Sequence, residues 1–315
     1  MYMHIEYQYL NLLQQILDYG IWKDNRTGIR CQTIANTMLQ HDMNLGFPLM
    51  THRKLPIKST LCELEGFLSG VTSKEWYQQR GCKYWDHWAN PVKVQERYKE
   101  QLEEEPAAFE LKEHYIKQHQ LEEDDLGPIY GYQWRHFNKP LDECKSICDA
   151  SDQLFTICKS LKENPNDRRM ICSAWNPAQL HLMALPPCHM TWGVIHVNGT
   201  LNLWWLQRSV DVCCGLPQNI VSYATLLLIL CKFSGFTPGV LTGYLCDTHI
   251  YENHLSGVEE ILSRRERINP LPTLEITDDH PIALSKEWLN VYWSSTHYKL
   301  SNYCPLDPIK FEVAV

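Results

Sequence analysis

Cys188 is the residue whose surroundings look most like those of a nucleophile. It stands in Leu185-Pro186-Pro187-Cys188-His189, one of thirteen cysteines in the chain. Each proline fixes φ at about −65° and removes an N–H donor, so the backbone entering the thiol is stiff. Twenty residues on, Gln207-Arg208-Ser209 supplies a guanidinium that could stabilise a thiolate. A free thiol has a pKa of roughly 8.5, and a nearby cation lowers it. The competing reading is a small buried hydrophobe, the common fate of cysteine.

Other residues could hold a substrate. Arg26 stands in the turn-like stretch Asp24-Asn25-Arg26-Thr27-Gly28, and Arg168-Arg169 follows the turn Asn164-Pro165-Asn166-Asp167. Each guanidinium suits a phosphate, which it can bind through two hydrogen bonds, or simply faces water. Glu63 falls in the mostly apolar Leu61–Leu68. On the buried face it needs a partner or a raised pKa, the state of many acid/base carboxylates; otherwise it and Glu65 face solvent. Tyr84-Trp85-Asp86-His87-Trp88 packs three aromatic rings into five residues, either core or the wall of a pocket for a flat heterocycle. Asn219 precedes an apolar run, where an asparagine either caps a helix or reads an amide. Asp247-Thr248-His249-Ile250-Tyr251 adds polar groups at a predicted strand end.

The elements that must position these groups are partly legible. Ile5, Tyr9, Leu12, Leu13 and Ile16 recur at helical spacing, with Gly20 as a stop. Trp192 to Val197 and Thr200 to Leu206 read as two strands joined by Asn198-Gly199, a strong hairpin signal. The second strand delivers Arg208, Ser209 and Asp211. Gly215-Leu216-Pro217-Gln218-Asn219 leads into a helix ending near Gly235, and Asp142 to Lys162 has helical spacing. Residues 91 to about 125 carry Glu103-Glu104-Glu105 and Glu122-Glu123-Asp124-Asp125 around a Lys/Glu-rich stretch, which reads as a solvated helical insertion. Cys144 and Cys148 lie one helical turn apart, but no second close pair completes a four-ligand zinc set, so no metal is expected.

Composition bounds the rest. A chain of 315 residues with 44% hydrophobic residues can bury a sizeable core. Its net charge of −8 argues against a nucleic-acid-binding surface, though not against a local arginine pocket for one phosphate. The N-terminus lacks a basic region followed by an apolar one, so a signal peptide is not expected. The longest apolar run, Ile220 to Cys231, is shorter than the roughly 20 residues that span a membrane. An odd cysteine count fits reduced thiols in a cytoplasm.

These stretches together resemble the folate-dependent thymidylate synthases, nearly end to end apart from the acidic insertion. The matching segments are Asn25-Arg26-Thr27-Gly28, Trp85-Asp86 with Trp88, Leu126-Gly127-Pro128-Ile129-Tyr130-Gly131, Arg168-Arg169, Pro187-Cys188-His189, Gln207-Arg208-Ser209 with Asp211, Gly215-Leu216-Pro217 with Asn219, Asp247-Thr248-His249 with Tyr251, and Val313-Ala314-Val315. The resemblance implies one α/β (α+β) domain over 1–315, with a large mixed β-sheet covered by helices and packed back to back in a homodimer. It implies that Cys188 attacks C6 of dUMP. Arg26, Arg208 and Ser209 would bind the phosphate, with Arg168 and Arg169 reaching it from the partner subunit. Gln207, Asp211, Asn219, His249 and Tyr251 would complete the nucleotide site, Asn219 reading the uracil amide edge and His249 and Tyr251 the deoxyribose. Glu63, Tyr130 and His189 would support proton transfers. Trp85, Trp88, Asp211, Gly215, Ala314 and Val315 would form the site for 5,10-methylenetetrahydrofolate.

Three positions depart from the family, which is usually apolar where this chain has Tyr84, Cys214 and Gln218. Related hydroxymethylases share the early steps but trap the methylene with water, and a more polar wall could admit that water. Reductive methylation of dUMP is the expected activity, with dUMP hydroxymethylation as the alternative. A silent nucleotide-binding relative would be expected to lack Cys188 or the arginines, and all are present.

Overall fold

The computed structural model describes residues 3–88, 123–138, 152–277 and 297–314. Most of the acidic insertion, the Cys144–Cys148 pair and Val315 lie outside them.

A six-stranded mixed sheet runs in the order β1(Ile21–Lys23), β2(Cys31–Asp42), β6(Thr237–Tyr251), β5(Thr200–Asp211), β4(His189–Val197), β3(Ile171–Ser173). Every neighbouring pair is antiparallel except β5 and β6, which run parallel. Parallel neighbours need a crossover, here the helix α6(Gly215–Ser234). Strands β7(Thr273–Ile276) and β8(Tyr298–Ser301) form a separate antiparallel pair.

The predicted hairpin is present. Asn198 and Gly199 both take positive φ, at 49° and 79°, as a two-residue turn with right-handed strand twist requires. Both strands run further than their apolar patterns suggest, back to His189 and on to Asp211. The β4–β5 register breaks between His189 and Thr191, immediately after Cys188. Such a bulge re-aims the side chains beside it.

Along β5 the side chains alternate. Leu201, Leu203, Trp205 and Gln207 are buried, while Trp204 and Leu206 are partly open on the opposite face. The buried face packs under α1(Ile5–Tyr19) and α6. Gly20 caps α1 by donating its N–H to Ile16, and Gly235 ends α6 in the left-handed region at φ 80°. Helix α6 has a length and apolar character compatible with a membrane span, longer than its apolar run suggests, but 78% of that window is buried in the protein core.

Four helices support the other flank. Helix α2(Ile57–Leu68) extends the apolar segment that carries Glu63. It is followed by α3(Lys74–Gln79) and α4(Tyr130–His136), and α5(Gln153–Glu163) is the described part of the third predicted helix. Gly131 lets α4 approach α2 closely, because a Cβ there would lie 2.5 Å from the Phe67 backbone. That approach stacks Tyr130 on Phe67 at 4.8 Å between ring centroids. Helix α7(Leu255–Ser263) completes the set beside α1.

Candidate active site

The site grows from the bulged start of β4. The Cys188 carbonyl accepts a hydrogen bond from the Arg208 N–H on β5 at 2.8 Å, and its own N–H donates to the Tyr130 hydroxyl at 2.7 Å. The backbone at the thiol is therefore held from both sides. The Arg208 guanidinium donates to the carbonyls of Pro186 and Pro187, both at 2.9 Å, and its Nη2 lies 4.0 Å from the Cys188 sulfur. Burial pushes the Cys188 thiol up, and Arg208 pulls it down by less. The expected cation is in place, but burial outweighs it.

His189 is next to Cys188 in the chain but pairs elsewhere. Its Nδ1 pairs with the Tyr223 hydroxyl at 2.8 Å and its ring stacks on Tyr130 at 4.2 Å. Burial lowers its pKa to about 3, so it stays neutral and offers no positive charge to the thiol.

The thiol opens into a cleft of 480 Å³. Glu63 lines it from α2 and is partly exposed. Burial raises its carboxyl to about 8, with the Trp85 indole opposing. Glu65 is buried, not solvated, and rises to about 7 by the same cause. Tyr130 on α4 keeps its proton because burial pushes its phenol far up.

Across the sheet, Gln207, Ser209 and Asp211 enter the cleft from β5, and His249 and Tyr251 from the end of β6. Asp247 sets His249: its carbonyl lies 3.1 Å from the His249 Nδ1 and its carboxylate 3.5 Å away. The carboxylate also accepts from Thr33 at 2.6 Å and from Lys23. Its pKa is held well below the carboxylate range, His249 being the largest cause. Asn219 does not cap α6; Cys214 is the N-cap residue. Instead the Asn219 Oδ1 accepts from Gln207 Nε2 at 3.0 Å. The Asp211 Oδ1 accepts from the N–H groups of Cys213 and Cys214 at 2.9 and 3.0 Å, and so anchors the start of the helix.

The remaining predicted positions divide. Arg26, Trp85, Trp88, Gly215 and Ala314 line the cleft, with the Arg26 guanidinium 5.4 Å from the centre of a Trp88 ring. Arg168 and Arg169 do not join it. They are exposed in the turn that leads into β3, Arg169 pairs with Asp167 at 2.9 Å, and Arg168 borders a separate cavity with Ile195 and Trp204. Sequence reasoning missed Arg53. It is buried, donates to the carbonyls of Cys213 and Ile309, and lies 4.7 Å from the Phe311 ring centre, so it ties the C-terminal segment to the mouth of α6. No motif marked it; it is a lone arginine in Thr51-His52-Arg53.

Asp211, Cys213 and His254 place potential ligand atoms within 4.8 Å of one another. A metal would need the Cys213 thiolate, whereas burial drives that thiol strongly towards its protonated form. The Asp211 oxygen facing His254 already serves two backbone N–H groups.

The cleft thus brings together a thiol with a guanidinium beside it, a carboxyl whose pKa burial raises, and a row of amide and hydroxyl groups. All of them fall within residues 7–315, which match the family model described as thymidylate synthase, and the chain belongs to that family of methyltransferases, which convert dUMP to dTMP with 5,10-methylenetetrahydrofolate.

Proposed function

We propose that Cys188 is the nucleophile of this reaction, and the observation that carries the assignment is its position at the cleft with Arg208 Nη2 4.0 Å from the sulfur. The thiolate adds to C6 of dUMP, which turns C5 into an enolate-like carbon able to take up the methylene of the folate. Covalent addition splits one hard substitution into easier steps. Asn219 binds the uracil amide edge, its oxygen held by Gln207 and its NH2 left to donate to O4, where charge develops. Glu63 and Tyr130 exchange protons with the base through water, and neutral His189 relays hydrogen bonds without taking charge. Arg26, Arg208 and Ser209 bind the phosphate, and His249 and Tyr251 the deoxyribose. Trp85, Trp88, Asp211, Gly215 and the C-terminal Ala314 and Val315 take the folate, whose hydride completes the methyl group.

The active unit is a homodimer. The sheet face not covered by α1 and α6 exposes Met38, Ile195, Val197 and Tyr244, together with Ile171 on β3. An apolar face of this extent fits a second copy packed back to back. Arg168 and Arg169 flank that face and would reach the partner's phosphate site across it.

The test is to incubate the protein with dUMP and 5,10-methylenetetrahydrofolate, follow dihydrofolate by its absorbance and identify the nucleotide by mass. Formation of dTMP with dihydrofolate supports the assignment, and Cys188→Ser should lose it. A second reading rests on the polar wall at Tyr84, Cys214 and Gln218: water, not hydride, takes the methylene. It requires 5-hydroxymethyl-dUMP with no dihydrofolate.

A further inference from the structure

The cleft wall that holds Tyr84 and Gln218 carries a hydrogen-bonded chain that reaches back to Thr60. Thr60 on α2 places its Oγ1 2.8 Å from the Gln218 Oε1 and 3.1 Å from the Tyr84 hydroxyl. A threonine hydroxyl has one proton, and a carboxamide oxygen can only accept. The Thr60 proton therefore goes to Gln218, and the Tyr84 O–H supplies the other link. Burial pushes the Tyr84 phenol up, which keeps that proton in place. The competing acceptor, the Pro56 carbonyl, is further from Thr60 at 3.4 Å and already receives the backbone N–H groups of Ser59 and Thr60.

With its oxygen turned to α2, Gln218 has its NH2 left over, and that group has no hydrogen-bond partner among the described residues. Gln218 lines the cleft. Its neighbour Asn219 is arranged in the same way, with its oxygen held by Gln207. Two successive carboxamides at the mouth of α6 thus have their oxygens engaged and their N–H donors free.

We propose that Gln218 is a specificity-determining residue for the one-carbon co-substrate, oriented by Thr60 and Tyr84 so that its NH2 donates to a carbonyl or ring-nitrogen acceptor of the reduced pteridine derivative. Asn219 reads the nucleotide and Gln218 reads its partner in the reaction. This rests on the reading that the Tyr84–Trp85 side of the cleft takes the folate. Thr60 and Tyr84 are positioning residues, since they act through the amide. An apolar side chain at 218 could pack on the co-substrate but could not donate to it.

The experiment measures KM for 5,10-methylenetetrahydrofolate, kcat, and the calorimetric Kd for dUMP in the native protein and in Gln218→Leu, Gln218→Glu, Thr60→Val, Thr60→Ser and Tyr84→Phe. Loss of a donor that meets an acceptor should raise the folate KM about tenfold in Gln218→Leu. Gln218→Glu, which has acceptors only, should raise it further. The dUMP Kd should not move. Thr60→Val should raise the folate KM by a smaller factor and add nothing to Gln218→Leu, whereas Thr60→Ser should restore the native value. An unchanged or lower folate KM in Gln218→Leu, with dUMP binding intact, would overturn the proposal. Absence of dUMP binding in the native protein would instead overturn the functional reading beneath it. Thr60→Ser keeps the test decisive if the larger changes impair folding: a raised folate KM despite the retained hydroxyl would count against the chain.

Discussion

Arg208 Nη2 lies 4.0 Å from Cys188 Sγ, while the same guanidinium is held by the carbonyls of Pro186 and Pro187. The proline pair therefore stiffens the approach to the thiol and also fixes the charge that acts on it. Burial raises the Cys188 pKa and Arg208 opposes the rise. Thiolate at Cys188 should accordingly appear above the ordinary thiol range, and Arg208→Ala should move it higher still. Unit charges 4 Å apart interact by about 1 kcal/mol in water and more in a protein, so the thiolate fraction at neutral pH should fall by at least about fivefold. The check is the pH dependence of iodoacetamide alkylation, read on the Cys188 peptide by mass spectrometry because the chain has thirteen cysteines. A midpoint in Arg208→Ala equal to or below the native one would remove the electrostatic role.

Glu63 should leave a mark on stability as well as on rate. Burial raises it to about 8, against about 4.3 in an unfolded chain. Between those values the folded protein holds a proton that the unfolded chain has released. Stability therefore falls as pH rises through this window and levels off above about 8. Glu63→Gln, which mimics the protonated carboxyl, should flatten that decline. A residual slope up to about 7 should remain from Glu65. Turnover should drop by about a hundredfold or more, since the amide cannot exchange the proton. Denaturant unfolding at a series of pH values, paired with steady-state rates, measures both. An unchanged pH slope would mean that Glu63 is ionised in the folded protein.

What could be read in the sequence was local. Asn198-Gly199 needs only two residues to specify a turn, and Gly235 only one to end a helix; both adopt the required positive φ. The proline pair marked Cys188 in the same way, whereas the pairing of the adjacent imidazole with Tyr223 is not written in the dipeptide. What stayed hidden depended on distant pairing. Thr60 has no motif around it, and its partner Gln218 is 158 residues away. The net direction of the Cys188 shift is a contest between burial and a charge, and burial is not written in the neighbours of a residue. Arg168 and Arg169 could be recognised as phosphate-binding types, yet their separation from the cleft of their own chain follows from the sheet order.

The amide of Asn219 supports a prediction about the base. Gln207 Nε2 donates to its Oδ1 at 3.0 Å, which leaves the NH2 as donor towards the cleft. Uracil offers a carbonyl acceptor at C4 where cytosine offers an amino donor. Asn219→Asp keeps an acceptor for Gln207 but replaces the donor with a second acceptor. The ratio of kcat/KM for dCMP over dUMP should rise by about a hundredfold. A competition assay with both nucleotides in one tube measures that ratio directly. An unchanged ratio would assign Asn219 to packing at the mouth of α6.

The position of Arg168 and Arg169 makes the dimer testable by complementation. Both are exposed, away from the cleft of their own chain, beside the uncovered apolar sheet face. If they serve the partner's site, Arg168→Ala/Arg169→Ala and Cys188→Ser proteins are each inactive for different reasons. A mixed dimer pairs an intact Cys188 on one protomer with intact arginines on the other and rebuilds one of two sites. Random mixing of equal amounts makes half the dimers mixed, so activity should recover to about a quarter of native. Recovery should require subunit exchange and should fail if the proteins are crosslinked as homodimers before mixing. Mixed dimers, verified by mass, that show no activity would confine each phosphate site to one chain and leave the two arginines as a solvated turn.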